Sequence, residues 1–329
     1  MSIEAKSVCG ELPRAVGLLG GGVIGGGWAG RFVLRGVDVR LYDPAPDAAE
    51  GAEKMLDSAR QAYRRLGCPL PAEGALTVVD SVEEAVREVE FVQESAPERL
   101  ELKQQLICAA SRAAPPDTLI CSSTSGFLPS LLQEGVECPE RVLVGHPFNP
   151  VYLLPLVELC GGRSTDPGAL QRAAEIYRSV SMYPLVLRKE IGGFIGNRLQ
   201  EALWREGLWL VHDGVATVEE IDDAIRYSFG LRLAVKGPFN IGGGGVAMRQ
   251  LMEKWGPDVR SQWTNFSEVP NHDDAFLDKL AEQSDARVEK LTSAQLERKR
   301  DECLVAILQA LRAEGYGAGE TLMRWGQGL

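Results

Sequence analysis

Histidine is scarce in this chain, with three in 329 residues, so each one can be weighed on its own. No basic run occurs: 35 Lys and Arg stand against 46 Asp and Glu, a net charge of −11. The footprint of phosphate-backbone binding is therefore missing, and nucleic acid is excluded as a partner. An uncharged apolar stretch of about 18 residues, the minimum for a membrane helix, is absent as well. Glu4, Lys6, Glu11 and Arg14 occupy the place where a signal peptide needs its apolar core. No membrane association and a cytoplasmic location are the expectation. Seven cysteines, an odd number with no CxxC pair, point to reduced thiols and to neither disulfides nor a metal site. What is present is ordinary for a globular protein, at 45% apolar and 25% charged residues. The length suits one large or two ordinary domains.

Short β-branched or Leu-rich runs alternate with helical stretches from Ala15 onward. They are Ala15 to Leu19, Asp38 to Tyr42, Leu76 to Val79, Glu90 to Gln93, Thr118 to Ser122 and Arg141 to Gly145. Such alternation predicts a parallel sheet covered by helices. Leu156 to Leu159 and Pro184 to Leu187 are two further strand candidates, separated by a helix that Asp166 and Pro167 open. After Arg188 the pattern turns helical: a run from Phe194 through Val211, a capping box at Thr217 and Glu220, and a last helix opened by Thr292 and Gln295. The expected division is 1–188 for an α/β dinucleotide-binding domain and 189–329 for a smaller all-helical domain.

Directly after the first strand the chain reads Gly20-Gly21-Gly22-Val23-Ile24-Gly25, a GxGxxG at Gly20, Gly22 and Gly25. These glycines serve a tight turn, close approach to a pyrophosphate, and helix-on-strand packing, while Val23 and Ile24 open a helix whose free N–H groups suit phosphate. Asp43 ends the second strand eighteen residues past Gly25, placed to accept from a ribose 2′-hydroxyl and to repel a 2′-phosphate. A Rossmann-type, doubly wound, mostly parallel sheet with NAD as cofactor is expected. The turn alone leaves FAD as the competitor.

His146 stands at a strand's end in Gly145-His146-Pro147-Phe148-Asn149-Pro150, and Glu158 follows twelve residues later. A histidine there can take a hydroxyl proton, and a carboxylate on its other nitrogen fixes the tautomer. Periodicity does not say whether the two touch. Five motifs in order, the glycine turn with Asp43, Glu94-Ser95-Ala96-Pro97-Glu98 with Lys103, Ser123-Thr124-Ser125, the His146 segment with Glu158, and Gly193-Phe194-Ile195-Gly196-Asn197-Arg198, resemble the 3-hydroxyacyl-CoA dehydrogenase superfamily. The resemblance covers nearly the whole chain. It implies His146 as general base, Glu158 as its partner, and Ser125 and Asn197 as the groups holding the reacting oxygen. It also implies cofactor contacts at Asp43, Glu98, Lys103, Ser123 or Ser125, and Asn149.

The helical half resembles the branch of that family that oxidises the 3-hydroxyl of L-carnitine, through Glu201 to Glu206, Asp213 to Thr217, Glu219 to Tyr227 and Trp263 to Phe266. A quaternary ammonium is best lined by aromatic faces, and Phe239 and Trp263 are the substrate-binding candidates, with Tyr227, Trp255 and Phe266 in the same stretch. Arg226, Arg232 and Arg249 are candidates for the carboxylate. Four glycines, Gly242 to Gly245, depart from that branch and leave another small 3-hydroxy acid open, L-gulonate among them. A 3-hydroxyacyl-CoA is disfavoured because the segment from Asp43 to Thr77 offers only Lys54, Arg60, Arg64 and Arg65 for CoA phosphates. An NAD(H)-binding structural protein is the non-enzyme alternative. The resemblance further implies a homodimer.

Overall fold

The computed structural model describes residues 11–234, 273–276, 278 and 292–325. Chain contacts gather it into two units, one running to Ile195 and resuming at Arg300, the other spanning Gly196–Lys299. The first unit is built on an eight-stranded sheet ordered β3-β2-β1-β4-β5-β6-β7-β8. Its strands are β1 Ala15–Leu19, β2 Asp38–Tyr42, β3 Leu76–Val79, β4 Phe91–Glu94, β5 Leu119–Ser122, β6 Val142–Pro147, β7 Leu156–Gly161 and β8 Tyr183–Val186. Neighbours run parallel except β6 and β7, which pair antiparallel. The order reverses between β1 and β4, the switch point at which doubly wound sheets open a crevice for ligands.

The central strands are apolar on both faces because helices cover both. The period of two divides their side chains between two cores. Phe91, Leu119, Cys121 and Leu143 face one, with α1 Val23–Val33, α2 Ala48–Leu66 and, further on in the chain, α6 Pro167–Ser179. Val92, Ile120, Val142 and Val144 face the other, with α3 Val82–Val86, α4 Leu100–Ala113 and α5 Pro129–Leu132. Close packing of α1 explains part of its glycine content: a Cβ on Gly30 would lie 2.9 Å from that of Ala59 on α2, and one on Gly27 2.9 Å from that of Val151. Asp166 caps α6 by accepting from the Ala169 amide at 3.1 Å, with Pro167 at the first helical position.

The second unit contains α7 Gly196–His212, α8 Val218–Arg226, α9 Phe229–Leu233 and the start of α10 Ser293–Ala313. Thr217 and Glu220 close the capping box expected for α8, and Thr292 and Gln295 exchange the corresponding bonds at the head of α10.

The units differ from the division expected at residue 188 in two ways. The first unit extends to Ile195, and it takes back the chain from Arg300, including α11 Gly319–Trp325. Trp325 explains the return. Its ring is fully buried, 4.3 Å from the Tyr63 ring and 4.7 Å from the Arg35 guanidinium. Its indole N–H donates to the Pro69 carbonyl at 2.8 Å, and Arg35 donates to its carbonyl at 2.6 Å. Val305 and Leu308 of α10 join the same core.

Candidate active site

The glycine turn leaves β1 at the switch point, and its three motif glycines have three different causes. Gly20 sits at φ +104°, and a Cβ there would come within 2.7 Å of the Ser95 backbone. A Cβ on Gly25 would collide with the Gly20 carbonyl at 1.8 Å. Gly22 is different: a Cβ would meet no protein atom within 4 Å. Packing therefore does not demand glycine at Gly22, whereas close approach of the main chain to a pyrophosphate would. Gly22 is the N-cap of α1 without a side-chain cap, and the first turn, opened by Val23 and Ile24, carries no acidic residue. Its N–H groups suit a pyrophosphate. Asp43 lies past the end of β2, accepting from the Gly21 amide at 2.6 Å with one oxygen and from the Ala45 amide at 2.8 Å with the other. Each carboxylate oxygen retains a lone pair for a ribose hydroxyl. These residues fit NAD.

His146 and Glu158 are directly opposed in the β6–β7 register. Opposed antiparallel residues share a face at a Cβ separation of about 5 Å. The side chains meet accordingly, with Nδ1 2.9 Å from Oε2. Glu158 is fully buried and His146 nearly so. The second Glu158 oxygen accepts from the Ile195 amide at 2.9 Å, which locks the carboxylate in place. The imidazole ring is flanked by Phe148 at 4.9 Å and Phe194 at 5.4 Å. Phe194 adopts φ +47°, a conformation that costs a bulky residue about 1–3 kcal/mol. Complete burial of its ring beside His146 offsets this. Sequence reasoning assigned no role to either phenylalanine, although both stand inside quoted motifs. Cys160, two residues past Glu158, has its thiol pushed up to about 11 by burial, with Glu190 and Glu158 adding to the effect. It stays protonated and is no nucleophile at neutral pH.

The expected oxygen-holding serine, Ser125, lies exposed on the turn after β5. Glu98 holds that turn from one oxygen, Oε1, which accepts from the Thr124 hydroxyl at 2.5 Å, the Ser125 amide at 3.1 Å and the Gly126 amide at 3.0 Å. Lys103 is fully buried, donating to Glu94 at 2.9 and 3.2 Å and to the Ala96 carbonyl at 2.9 Å. It lies 3.5 Å from Glu98. Sequence reasoning placed both charged heads against the cofactor. In the structure their bonds brace the loops after β4 and β5, where the buried ammonium satisfies its three donors with nearby acceptors.

Ser123 points into a polar cluster below the same turn, 2.8 Å from both Gln93 Nε2 and Ser95 Oγ and 3.2 Å from Trp28 Nε1. The motif reading did not single out Gln93, Trp28 or Tyr177. Asn149 is exposed just past β6. Asn197 stands partly buried in the first turn of α7, in the second unit. Tyr227 is exposed, with the Arg226 guanidinium 5.8 Å from its ring centre and paired to Asp223. Phe239, Trp263, Trp255, Phe266, Arg249 and Gly242 to Gly245 lie outside the described residues.

A sheet that reverses its order at a glycine turn and sets an imidazole–carboxylate pair two strands past β4 has the ground plan of a nicotinamide-dependent dehydrogenase. Comparison with known proteins narrows that class. Residues 15–191 match the 3-hydroxyacyl-CoA dehydrogenase NAD binding domain and residues 193–289 match its C-terminal domain, so the chain belongs to the 3-hydroxyacyl-CoA dehydrogenase family. It is 46% identical over 316 residues to an L-carnitine dehydrogenase of Mesorhizobium japonicum, covering 94% of this chain and 85% of that protein. It is 48% identical over 312 residues to an L-carnitine dehydrogenase/betainyl-CoA thioesterase of Rhizobium meliloti, covering 92% of this chain but only 63% of the relative. Among solved structures, 5-formyl-3-hydroxy-2-methylpyridine 4-carboxylic acid 5-dehydrogenase, an NAD+ dependent dismutase, is similar at TM-score 0.76 and 28% identity, covering 92% and 99% of the two chains. No helix among the described residues is long and apolar enough to cross a membrane.

Proposed function

We propose that this protein oxidises the 3-hydroxyl of L-carnitine to 3-dehydrocarnitine with NAD. The observation that carries the reading is the buried His146–Glu158 pair at 2.9 Å, set on the sheet that bears the glycine turn. Relatives named for L-carnitine, at close to half identity over most of the chain, supply the substrate. Oxidation of a secondary alcohol takes a proton from oxygen and a hydride from carbon, and NAD supplies the hydride acceptor. Glu158 engages Nδ1, so the hydroxyl proton goes to Nε2 of His146. The carboxylate then stabilises the imidazolium, as in other His–carboxylate pairs. Ser125 and Asn197 donate to the oxygen as it becomes a carbonyl. Gly20, Gly22, Val23, Ile24 and Gly25 receive the pyrophosphate, Asp43 the adenine ribose, and Asn149 the nicotinamide side. Phe239 and Trp263 offer faces to the trimethylammonium group.

A homodimer belongs to the same proposal. The seventeen residues of α7 bury only Val211, leaving Leu199, Leu203 and Trp204 exposed. Light scattering of the purified protein tests it. The substrate is tested by NADH formation against L-carnitine, D-carnitine, L-gulonate, 3-hydroxybutyrate and its CoA thioester. L-carnitine should give the highest kcat/KM. Turnover of a neighbour on that panel without turnover of L-carnitine would move the substrate while leaving the chemistry of His146 in place.

A further inference from the structure

We propose that Ser95 is a hydrogen-bond donor to the dinucleotide, its proton reserved for the ligand by a buried relay running from Tyr177 through Gln93 and Ser123. The direction of the relay follows from groups that cannot reverse. The Gly145 carbonyl only accepts, so the Gln93 head 3.1 Å away presents its NH2 there. That orientation turns Oε1 toward the Tyr177 hydroxyl, which donates to it at 2.5 Å. The other amide proton is left for Ser123 Oγ at 2.8 Å. The Trp28 indole N–H, a donor only, reaches the same oxygen at 3.2 Å. A hydroxyl oxygen has two acceptor positions, and on Ser123 both are now filled. Its proton therefore goes to Ser95 Oγ at 2.8 Å. Ser95 accepts this bond, and its own proton has no acceptor among the described residues. Tyr177, Gln93 and Trp28 are all fully buried, so bulk water does not reorder the chain of bonds.

The position of Ser95 identifies what takes the proton. It follows β4 at the switch point, with its amide donating to the Leu19 carbonyl at 2.7 Å. Its backbone would lie 2.7 Å from a Cβ on Gly20, and its own Cβ 3.5 Å from one on Gly25. The hydroxyl thus stands beside the pyrophosphate turn. Oxygens of the pyrophosphate and the nicotinamide-side ribose are the acceptors a donor there meets, and pairing relieves the penalty of a half-buried unsatisfied group. The same relay ties Gly145, the residue before His146, to the serine turn, so donor and base are held by one buried amide. The inference rests on the NAD reading and is independent of the substrate.

Fluorescence titration of Ser95→Ala with NAD+, ADP-ribose and AMP tests it. The Kd for NAD+ and for ADP-ribose should rise about 3- to 10-fold, the usual worth of one hydrogen bond; AMP unchanged places the acceptor on the nicotinamide side, and a parallel rise for AMP places it on the adenosine-side phosphate. An NAD+ affinity within about twofold of wild type, below the smallest net value of such a bond, overturns the proposal. A loss for NAD+ without one for ADP-ribose also overturns it. Absence of NAD+ binding by the wild-type protein would instead strike the cofactor itself. The relay is tested by Gln93→Met, which frees an acceptor position on Ser123 and lets the serine pair reverse. Its effect on NAD+ binding should vanish in the Ser95→Ala background, and equal effects in both backgrounds contradict the relay. If Gln93→Met fails to fold, Ser95→Ala remains decisive, since it removes one oxygen from a half-buried residue.

Discussion

Replacing Glu158 by glutamine keeps the shape of the side chain and removes its charge. In the protein this carboxylate is fully buried, with one oxygen on His146 Nδ1 at 2.9 Å and the other on the Ile195 amide at 2.9 Å. While His146 is neutral the bond has one charged partner, the carboxylate, and once the imidazole has taken the substrate proton the bond joins two opposite charges. Only the second state loses strongly by the substitution, so the loss falls on the transition state. Hydrogen bonds to charged groups contribute about 1.5–3 kcal/mol, and at about 1.36 kcal/mol per tenfold kcat/KM should fall roughly 10- to 150-fold. The Kd for NAD+ should not move, because Glu158 lies on β7, away from the switch point. Steady-state NADH formation with L-carnitine and NAD+ titration measure the two quantities, and thermal melting checks that the variant is folded. A folded Glu158→Gln protein whose kcat/KM stays within about threefold of wild type, less than the weakest charged hydrogen bond accounts for, would refute the role given to this carboxylate.

Four further outcomes follow from the same geometry. Gly22→Ala should fold normally and bind NAD+ poorly, whereas Gly25→Ala should lower the melting temperature, because only the second Cβ strikes the protein, at 1.8 Å from the Gly20 carbonyl; equal effects on both readouts would contradict this. Asp43→Ser should weaken NAD+ and raise NADP+ turnover relative to it, since the acceptor that repels a 2′-phosphate is removed; an unchanged cofactor ratio would count against Asp43. Trp325→Ala should destabilise the first unit by about 3–5 kcal/mol in urea, as expected for an emptied aromatic core site, and a loss near zero would show that the C-terminal return is not structural. Burial raises the thiols of Cys121 to about 12 and Cys160 to about 11 from 9.0, and the Tyr177 phenol well above 10.0. The unfolded chain then ionises first, so stability is intact below pH 9 and declines as pH rises through the folded values. A melting temperature that stays flat from pH 9 to 11 would contradict that sign.

The alternation of β-rich and helical stretches announced the parallel sheet, and the glycine turn with Asp43 announced its switch point, because both are local patterns with fixed spacing. The encounter of His146 with Glu158 was not legible in the same way. Twelve residues of separation say nothing about contact until the antiparallel register of β6 and β7 opposes them. Glu98 and Lys103 were visible as charges, but their bracing of the loops depends on which strand lies beside which. The relay through Tyr177 joins residues 84 positions apart and is invisible to any window of sequence. The C-terminal return was hidden for a similar reason: α10 shows one long apolar pattern, and nothing in its period tells that Val305 and Leu308 join the core of the first unit while its first turns belong to the second unit.

The most direct measurement is a single-turnover experiment on His146→Gln, with NAD+ binding followed in the same samples. Loss of a positioned general base should slow NADH formation by about 10²- to 10⁴-fold, while NAD+ binds as it does to the wild type. NADH appearing at the wild-type rate, with cofactor affinity intact, would show that proton removal does not depend on this imidazole.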